Sequence, residues 1–353
     1  MDKNKVLVGM SGGVDSSVSA LLLKEKGYDV TGVMINFKWN GPGEDVNDAK
    51  RVAEMLDIPF FVYDFAPGFR NNVIEPFIDS YLCGITPNPC TICNRMCKWK
   101  ALTLAARSRD AYYVATGHYA FVIQLPNGRY TVKNADQTGK DQSYVLYNLT
   151  QEQLSHTIFP IGAYTKDEIR AIAEKAGLPV AHKHDSQDIC FIPDNDYAAF
   201  LRREAPGRIP PKGNFISETG QVLGEHRGIH CYTLGQRKGL GIALGKPVFV
   251  SRIDPKTNEV TLGDESLVFT NTVTADNINY MGETAFLPDK LYYAKTRYSH
   301  KATPCHISTI SDSQIKVFFE SPVRAATPGQ AIVLYDGDYV AGGARIILSN
   351  GSD

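Results

Sequence analysis

Seven cysteines are distributed over this chain, and three of them occupy contexts suited to chemistry. Cys90 and Cys93 form a C-x-x-C within Thr86-Pro87-Asn88-Pro89-Cys90-Thr91-Ile92-Cys93-Asn94, just ahead of a helical pattern over residues 95–107. Two prolines and Asn88 imply a fixed loop that presents both sulfurs. A helix start and the cations Arg95 and Lys98 are expected to lower a thiol pKa, raising the thiolate fraction that attacks electrophiles. Half of a structural zinc site is the competing reading, but the second C-x-x-C that such a site usually brings is missing. The third cysteine, Cys190, lies in Asp185-Ser186-Gln187-Asp188-Ile189-Cys190-Phe191-Ile192, an apolar stretch that by itself reads as a buried structural thiol.

A second kind of chemistry is written at the start of the chain. The apolar residues 5–9 run into Ser11-Gly12-Gly13-Val14-Asp15-Ser16-Ser17, after which Val18, Leu21 and Leu22 begin a helical pattern. Glycines at 12 and 13 permit positive φ and close backbone approach. Ser16 and Ser17 add hydroxyls at a helix N-terminus whose unpaired N–H groups attract phosphate, so an anion is expected before Ser17. Neither Gly139-Lys140 nor Gly245-Lys246 has the earlier glycine of the Gly-Lys-Ser/Thr phosphate loop, and kinase-like γ-phosphate transfer is not indicated. Further on, Thr116-Gly117-His118-Tyr119-Ala120 follows a strand-like run. Gly117 there is expected to let a nucleotide approach the backbone, and His118 sits where the ligands of a parallel sheet collect, although a lone histidine more often packs.

The elements that must position these residues alternate. Residues 30–37, 60–65 and 111–116 read as buried strands, and residues 45–56 as a helix with Val46, Val52, Ala53 and Leu56 on its apolar side. Thr165-Lys166-Asp167-Glu168 has capping-box spacing, and Gly177 and Pro179 stop the helix it opens. The fold class is therefore α/β, with a doubly wound parallel sheet and ligands at the carboxyl ends of its strands. After Pro206-Gly207-Arg208-Ile209-Pro210-Pro211 the pattern changes to short β-branched and aromatic runs between turns, and a further change comes near residues 275–290. The expected domains are 1–205 (catalytic, α/β), 206–278 (small, β-rich) and 279–353 (β-barrel-like).

Composition sets the outer bounds. A length of 353 residues with 43% hydrophobic content supports several cores, and no apolar run approaches the roughly 18 residues of a membrane span. An odd cysteine number without an export signal fits a reducing cytoplasm better than a disulfide framework. A formal net charge of −1 argues against a general polyanion binder and leaves open a shaped RNA met by local basic clusters.

Ser-Gly-Gly-x-Asp-Ser resembles the loop of the ATP pyrophosphatases, which cut ATP between its α and β phosphates to adenylate a substrate. Taken with Asn88-Pro89-Cys90, Cys93-Asn94, Thr116-Gly117-His118-Tyr119, residues 185–192 and Gly235-Gln236-Arg237-Lys238-Gly239-Leu240, the chain closely resembles the tRNA-specific 2-thiouridylases over nearly its whole length. The resemblance implies ATP-dependent replacement of oxygen by sulfur at C2 of the wobble uridine, position 34, of certain tRNAs in the cytoplasm. It puts ATP on Gly9, Met10, Ser11, Gly12, Gly13, Val14, Asp15 and Ser16, with Met34 and Gly117 on the adenine side and Asp15 helping to hold Mg²⁺. Cys93 is implied as nucleophile and Cys190 as persulfide carrier, with a Cys93–Cys190 disulfide formed on sulfur release, or Cys93 attacking as sulfide donor. His118 is implied in proton handling or base orientation.

By the same resemblance, Asn88, Pro89 and Cys90 meet the target base, while Lys140, Asp141, Gln142, Arg297, Tyr298 and Gln330 contact tRNA or support activity. Lys140, Lys295, Arg297 and Lys301 are suited to neutralising phosphates, and Tyr298 to stacking on an exposed base. A cysteine desulfurase or sulfur-relay protein is the implied donor. Some family members carry Asp where this chain has Cys90; Cys90, Cys93 and Cys190 together are suited to hold a [4Fe–4S] cluster by three thiolates, with an open iron to bind sulfide. Persulfide relay and cluster chemistry use the same cysteines. The competing function is a ligase or amidotransferase that uses the same loop on a small molecule, which would leave these thiols idle. An RNA-binding module with a decayed ATP motif is a further competitor.

Overall fold

Alternation along β1 (Asp2–Gly9) sets the layering of the first domain in this computed structural model, which describes residues 1–38, 41, 43–135, 139–183 and 189–348. Val6 and Val8 enter one core with Val14, Val18, Val52 and Ile169, whereas Leu7 enters the opposite core with Trp99, Leu102 and Ala106. A strand apolar on both faces must be covered on both. The cover on one side is α1 (Val14–Glu25), α2 (Asp45–Met55) and the helix Lys166–Lys175; on the other it is the helix Trp99–Ser108.

Next in the chain come β2 (Asp29–Asn36), β3 (Phe60–Asp64), β4 (Ala111–Ala115), β5 (Phe121–Gln124), β6 (Tyr130–Lys133) and β7 (Thr157–Ile158). Five of these first seven strands form a parallel sheet in the order β3-β2-β1-β4-β7. β3 is only partly buried, not the buried strand its sequence implies, because it ends the sheet and lacks a neighbour on one side. The helix expected over residues 95–107 starts earlier. A short helix, Pro89–Cys93, passes through a wide π-helical turn, Asn94–Lys98, before Trp99–Ser108 continues it. Such π turns occur often at functional sites.

The central region holds β8 (Gly213–Ile216), β9 (Val222–His226), β10 (Phe249–Asp254) and β11 (Glu259–Gly263) in the order β10-β11-β8-β9, around Phe215, Tyr232, Val250, Val260 and Leu262. The remaining strands are β12 (Phe269–Tyr280), β13 (Tyr292–Lys295), β14 (Thr303–Ser311), β15 (Gln314–Arg324), β16 (Ala331–Asp336) and β17 (Tyr339–Leu348). They run β12-β15-β14-β13-β16-β17, and a β12–β17 pairing closes them into a six-stranded barrel, removing the exposed edges. The point 278/279 lies inside β12, so Tyr280-Met281-Gly282 ends a barrel strand and is not a linker between domains.

The barrel is docked firmly on the first domain. The β5–β6 hairpin pairs with β17 through Tyr339 and Lys133, Arg129 donates to the carbonyl oxygens of Met281 (2.9 Å) and Tyr280 (2.6 Å), and Asn279 donates to those of Tyr147 (2.8 Å) and Leu149 (3.1 Å).

Candidate active site

The parallel sheet reverses its order between β1 and β4, and such a switch point opens a crevice beyond the carboxyl ends of the two strands. Residues 10–17 and 116–119 line it. Gly12 has φ +73°, and a Cβ there would collide with the Asp45 backbone at the start of α2. Gly13 caps α1 without a side-chain hydrogen bond, which leaves first-turn N–H groups facing the crevice for an anion. The serines stitch the loop to itself. The Ser11 N–H donates to Ser16 Oγ (3.2 Å), Ser16 Oγ donates to the Gly13 carbonyl (3.1 Å), and the buried Ser17 hydroxyl donates to that same oxygen at 2.8 Å. Met10, Val14 and Met34 are buried in the core, so their side chains anchor the loop and the end of β2. A Cβ on Gly9 would stand 3.3 Å from Leu102.

Gly117 has a packing reason for lacking a side chain. A Cβ there would lie 2.7 Å from the Asp15 carbonyl carbon and 2.8 Å from the Ser16 nitrogen, so the glycine lets the β4 loop close directly onto the first turn of α1. Asp15 is held from two further sides. Lys166 Nζ donates to both of its carboxylate oxygens, at 2.8 and 2.9 Å, and the Tyr119 hydroxyl donates to Oδ1 at 2.7 Å. Lys166 was legible in the sequence only as the second residue of a capping box; nothing there pointed across the domain to Asp15.

The thiol loop is built where all three domains meet. The Thr86 N–H donates to the Pro328 carbonyl (3.2 Å), the Thr86 and Thr233 hydroxyls bond at 2.9 Å, and a Cβ on Gly84 would lie 2.6 Å from Ile253. Pro89 is buried at the first turn of its helix, and Asn88 precedes it. Cys90 is exposed and Cys93 buried. Phe191 carries the connection to Cys190: its ring packs on Phe69 (5.7 Å) and Phe77 (5.2 Å), next to the cluster of Phe69, Val73, Cys93 and Cys97, while Ile192 is buried beside it. Between these anchors Cys190 is exposed, which overturns the buried-thiol reading. Residues 185–188 lie outside the described residues.

The expected lowering of the thiol pKa values is also overturned. Cys90 keeps an exposed face, but the protein around its sulfur desolvates the thiolate and pushes it up, and Cys93 is pushed well up by its hydrogen bond with Cys97 and by burial. Although Cys190 is exposed as a residue, the protein packed around its sulfur desolvates the thiolate and pushes it up to about 12, with Cys93 and Cys90 adding to it, so the three sulfurs share one electrostatic neighbourhood. Lys98 pulls all three down, but more weakly than burial raises them. Arg95 is turned away to Asn148 (2.9 Å), and a five-residue helix has little dipole to offer. His118 packs against Trp99 and Phe159, with Nδ1 2.7 Å from the Thr116 hydroxyl. Burial, with Lys98 nearby, holds its imidazole well below the ordinary histidine range and therefore neutral at physiological pH.

The residues expected at the RNA divide into two groups. Tyr298 is 48% exposed and available for stacking, and Lys301 is exposed as well. Lys140 is partly buried. The others are committed internally. Asp141 accepts from the Ser143 N–H (3.0 Å) and hydroxyl (2.7 Å) and pairs with Lys295 (3.5 Å), while Gln142 Oε1 accepts the Tyr119 N–H (2.9 Å). Arg297 donates to the carbonyl oxygens of Leu234 (3.1 Å) and Ala325 (3.2 Å) and to the Thr327 hydroxyl (2.6 Å), joining the central domain to the barrel.

Residues 4–194 match the family described as tRNA methyl transferase HUP domain, residues 198–264 its PRC-barrel domain, and residues 270–346 an aminomethyltransferase beta-barrel domain. The chain is 50% identical over 356 residues to a tRNA-specific 2-thiouridylase MnmA of Lachnoclostridium phytofermentans, covering 97% of this chain and 99% of that one. It is 47% identical over 358 residues to the MnmA of Clostridium perfringens, at 98% and 99% coverage, and 47% identical over 353 residues to that of Clostridium acetobutylicum, at 97% and 99%. The chain belongs to the MnmA family of tRNA-specific 2-thiouridylases. As in its MnmA relatives, the whole three-part chain is shared, so the thiol loop and the barrel that braces it match together. The crevice of this MnmA-family fold, with its uncapped α1 and positive-φ glycine, suits ATP with Mg²⁺. Among the described residues no three His, Cys, Asp or Glu side chains gather as a metal-holding group, so Cys90, Cys93 and Cys190 do not present the expected three-thiolate set in this conformation. Among the described residues, too, no helix is long and apolar enough to cross a membrane.

Proposed function

We propose that the protein carries out ATP-dependent 2-thiolation of the wobble uridine, position 34, of tRNA. The observation that carries this reading is that the domain with the pyrophosphate-type loop also holds Cys93, against whose cluster Phe191 packs, and next to Phe191 the exposed Cys190, which feels the charge of Cys93 and Cys90. Methyl transfer would use neither the thiols nor the loop.

In this reading the N–H groups at the start of α1 hold the phosphates, and Mg²⁺, bound with ATP, would offset their charge. The uridine O2 bonds to the α-phosphorus as pyrophosphate leaves with the electron pair of the broken P–O bond. Asn88, Pro89 and the neutral His118 orient the base, which must leave its stack to react. A neutral imidazole suits hydrogen bonding to the base better than proton uptake. A cysteine desulfurase or sulfur-relay protein loads the exposed Cys190 as a persulfide. A persulfide is a stronger acid than its parent thiol, so loading supplies an anion that the unloaded Cys190 does not. Its terminal sulfur bonds to C2 and AMP leaves. Cys93 then attacks the Cys190 sulfur, freeing 2-thiouridine and leaving a Cys93–Cys190 disulfide that an external dithiol reduces. No step is drawn through a cluster.

Anaerobic incubation with unmodified tRNA, Mg-ATP, a dithiol and a sulfane-sulfur source (a cysteine desulfurase with cysteine), followed by mass spectrometry of the digested nucleosides, tests the reading. ATP-dependent 2-thiouridine at the wobble position is expected. Pyrophosphate release without thiolation would point to a missing relay partner, and neither product would return the small-molecule ligase. Stoichiometric iron and acid-labile sulfide in active, anaerobically purified protein would replace the persulfide with cluster-bound sulfide on the same thiols.

A further inference from the structure

We propose that Lys166 is a catalytic residue that binds the pyrophosphate leaving group, held ready beside the loop by Asp15; this rests on reading residues 9–16 as the ATP site. The position is an unusual one for a lysine. Lys166 opens the helix Lys166–Lys175, where the partial positive charge of the helix end disfavours a cation and where Asp167 and Glu168 are the expected residue types. Its backbone is fixed nonetheless. Thr165 and Glu168 close a full capping box around it, and the fully buried Ile169 and Ala173 pin the helix into the core that holds α1.

The side chain leaves that fixed point for the loop, not for solvent. It is 11% exposed, and its ammonium touches both oxygens of Asp15, in the first turn of α1, where the uncapped N–H groups lie. Those N–H groups can hold phosphate oxygens, but they bring no net charge. The Asp15 carboxylate alone would repel them. An ammonium at this spot cancels that repulsion, and it stands where negative charge grows as the bond between the α and β phosphates breaks. Asp15 and Tyr119 thereby become positioning residues for the ammonium, and no proton has to move.

The test uses full-length protein and two probes, inorganic pyrophosphate and AMP, each titrated with Mg²⁺ present. Lys166→Met is expected to weaken pyrophosphate binding about 10- to 100-fold, the cost of one charge-assisted contact. AMP affinity should stay within about twofold, and Lys166→Arg should restore most of the loss. Tyr119→Phe, which removes one bond that positions Asp15 without removing charge, should weaken pyrophosphate binding far less than Lys166→Met, by about threefold at most. Equal pyrophosphate affinity in folded Lys166→Met protein, or an equal loss in Tyr119→Phe, would make Lys166 a structural partner of Asp15 and overturn the proposal. Should Lys166→Met not fold, weak binding in a folded Lys166→Arg together with weak binding in Tyr119→Phe overturns it as well. Wild-type protein that binds neither ATP nor pyrophosphate would instead overturn the reading of the loop itself.

Discussion

Gln330, just ahead of β16, donates through Nε2 to the carbonyl oxygens of Thr86 and Pro87 at 2.9 and 3.2 Å. The barrel thus grips the loop that presents the thiols, and Gly329 (φ +91°) allows the approach, since a Cβ there would stand 2.9 Å from the Thr86 oxygen. Gln330→Ala should loosen the loop without touching the nucleotide crevice. Single-turnover thiolation is expected to fall about tenfold, the equivalent of one to two lost hydrogen bonds, with ATP affinity unchanged. A parallel loss of ATP affinity would show that the grip serves the whole domain.

Separate roles for the cysteines predict separate phenotypes. Cys93→Ala and Cys190→Ala should each abolish thiolation while adenylation of the tRNA, read as pyrophosphate release, persists, because adenylation precedes sulfur transfer. Cys231 and Cys305, buried in the central sheet and in the barrel, should be dispensable for turnover. Retained thiolation in Cys190→Ala would remove it as the carrier.

The raised Cys190 pKa gives a pH signature. Burial, then Cys93 and Cys90, hold the unloaded thiol protonated through the neutral range, with a value of about 12. Alkylation of Cys190 by iodoacetamide should therefore climb about tenfold per pH unit from 7 to 10, with no plateau near the ordinary thiol value. Lys98 opposes the shift, so Lys98→Met should slow the reaction further. The linkage sign follows. A folded-state pKa above the unfolded one favours the protonated fold, so this stabilisation is full below about pH 9 and is lost as pH rises toward the folded value. A rate profile that levels off near pH 9 would contradict the assignment.

Arg297 separates a structural cation from a phosphate contact. It is partly buried and bonded to Leu234, Ala325 and Thr327. Burial lowers its pKa. Arg297→Ala should cost about 2–4 kcal/mol of stability, seen as a lower Tm, because it leaves those carbonyls unpaired. The slope of log tRNA affinity against log salt should stay the same. A slope smaller by about one would restore it as a phosphate contact.

Much of the site was legible in the sequence for reasons that are local. Ser11 to Ser17 announces a strand, a positive-φ turn and an uncapped helix start within a few residues, and Thr165 with Glu168 announces a capping box that the structure contains. Periodicity gave the parallel sheet because a strand covered on both faces is apolar throughout. The pattern could not show which distant groups meet. Lys166 on Asp15, Gln330 on Thr86, Phe191 beside the Cys93 cluster and Arg297 across two domains are contacts between segments far apart in the chain, and no local spacing encodes them. The thiol pKa values failed for the same reason: the sequence displays the cations Arg95 and Lys98, whereas the burial that outweighs them exists only after three domains close around the loop.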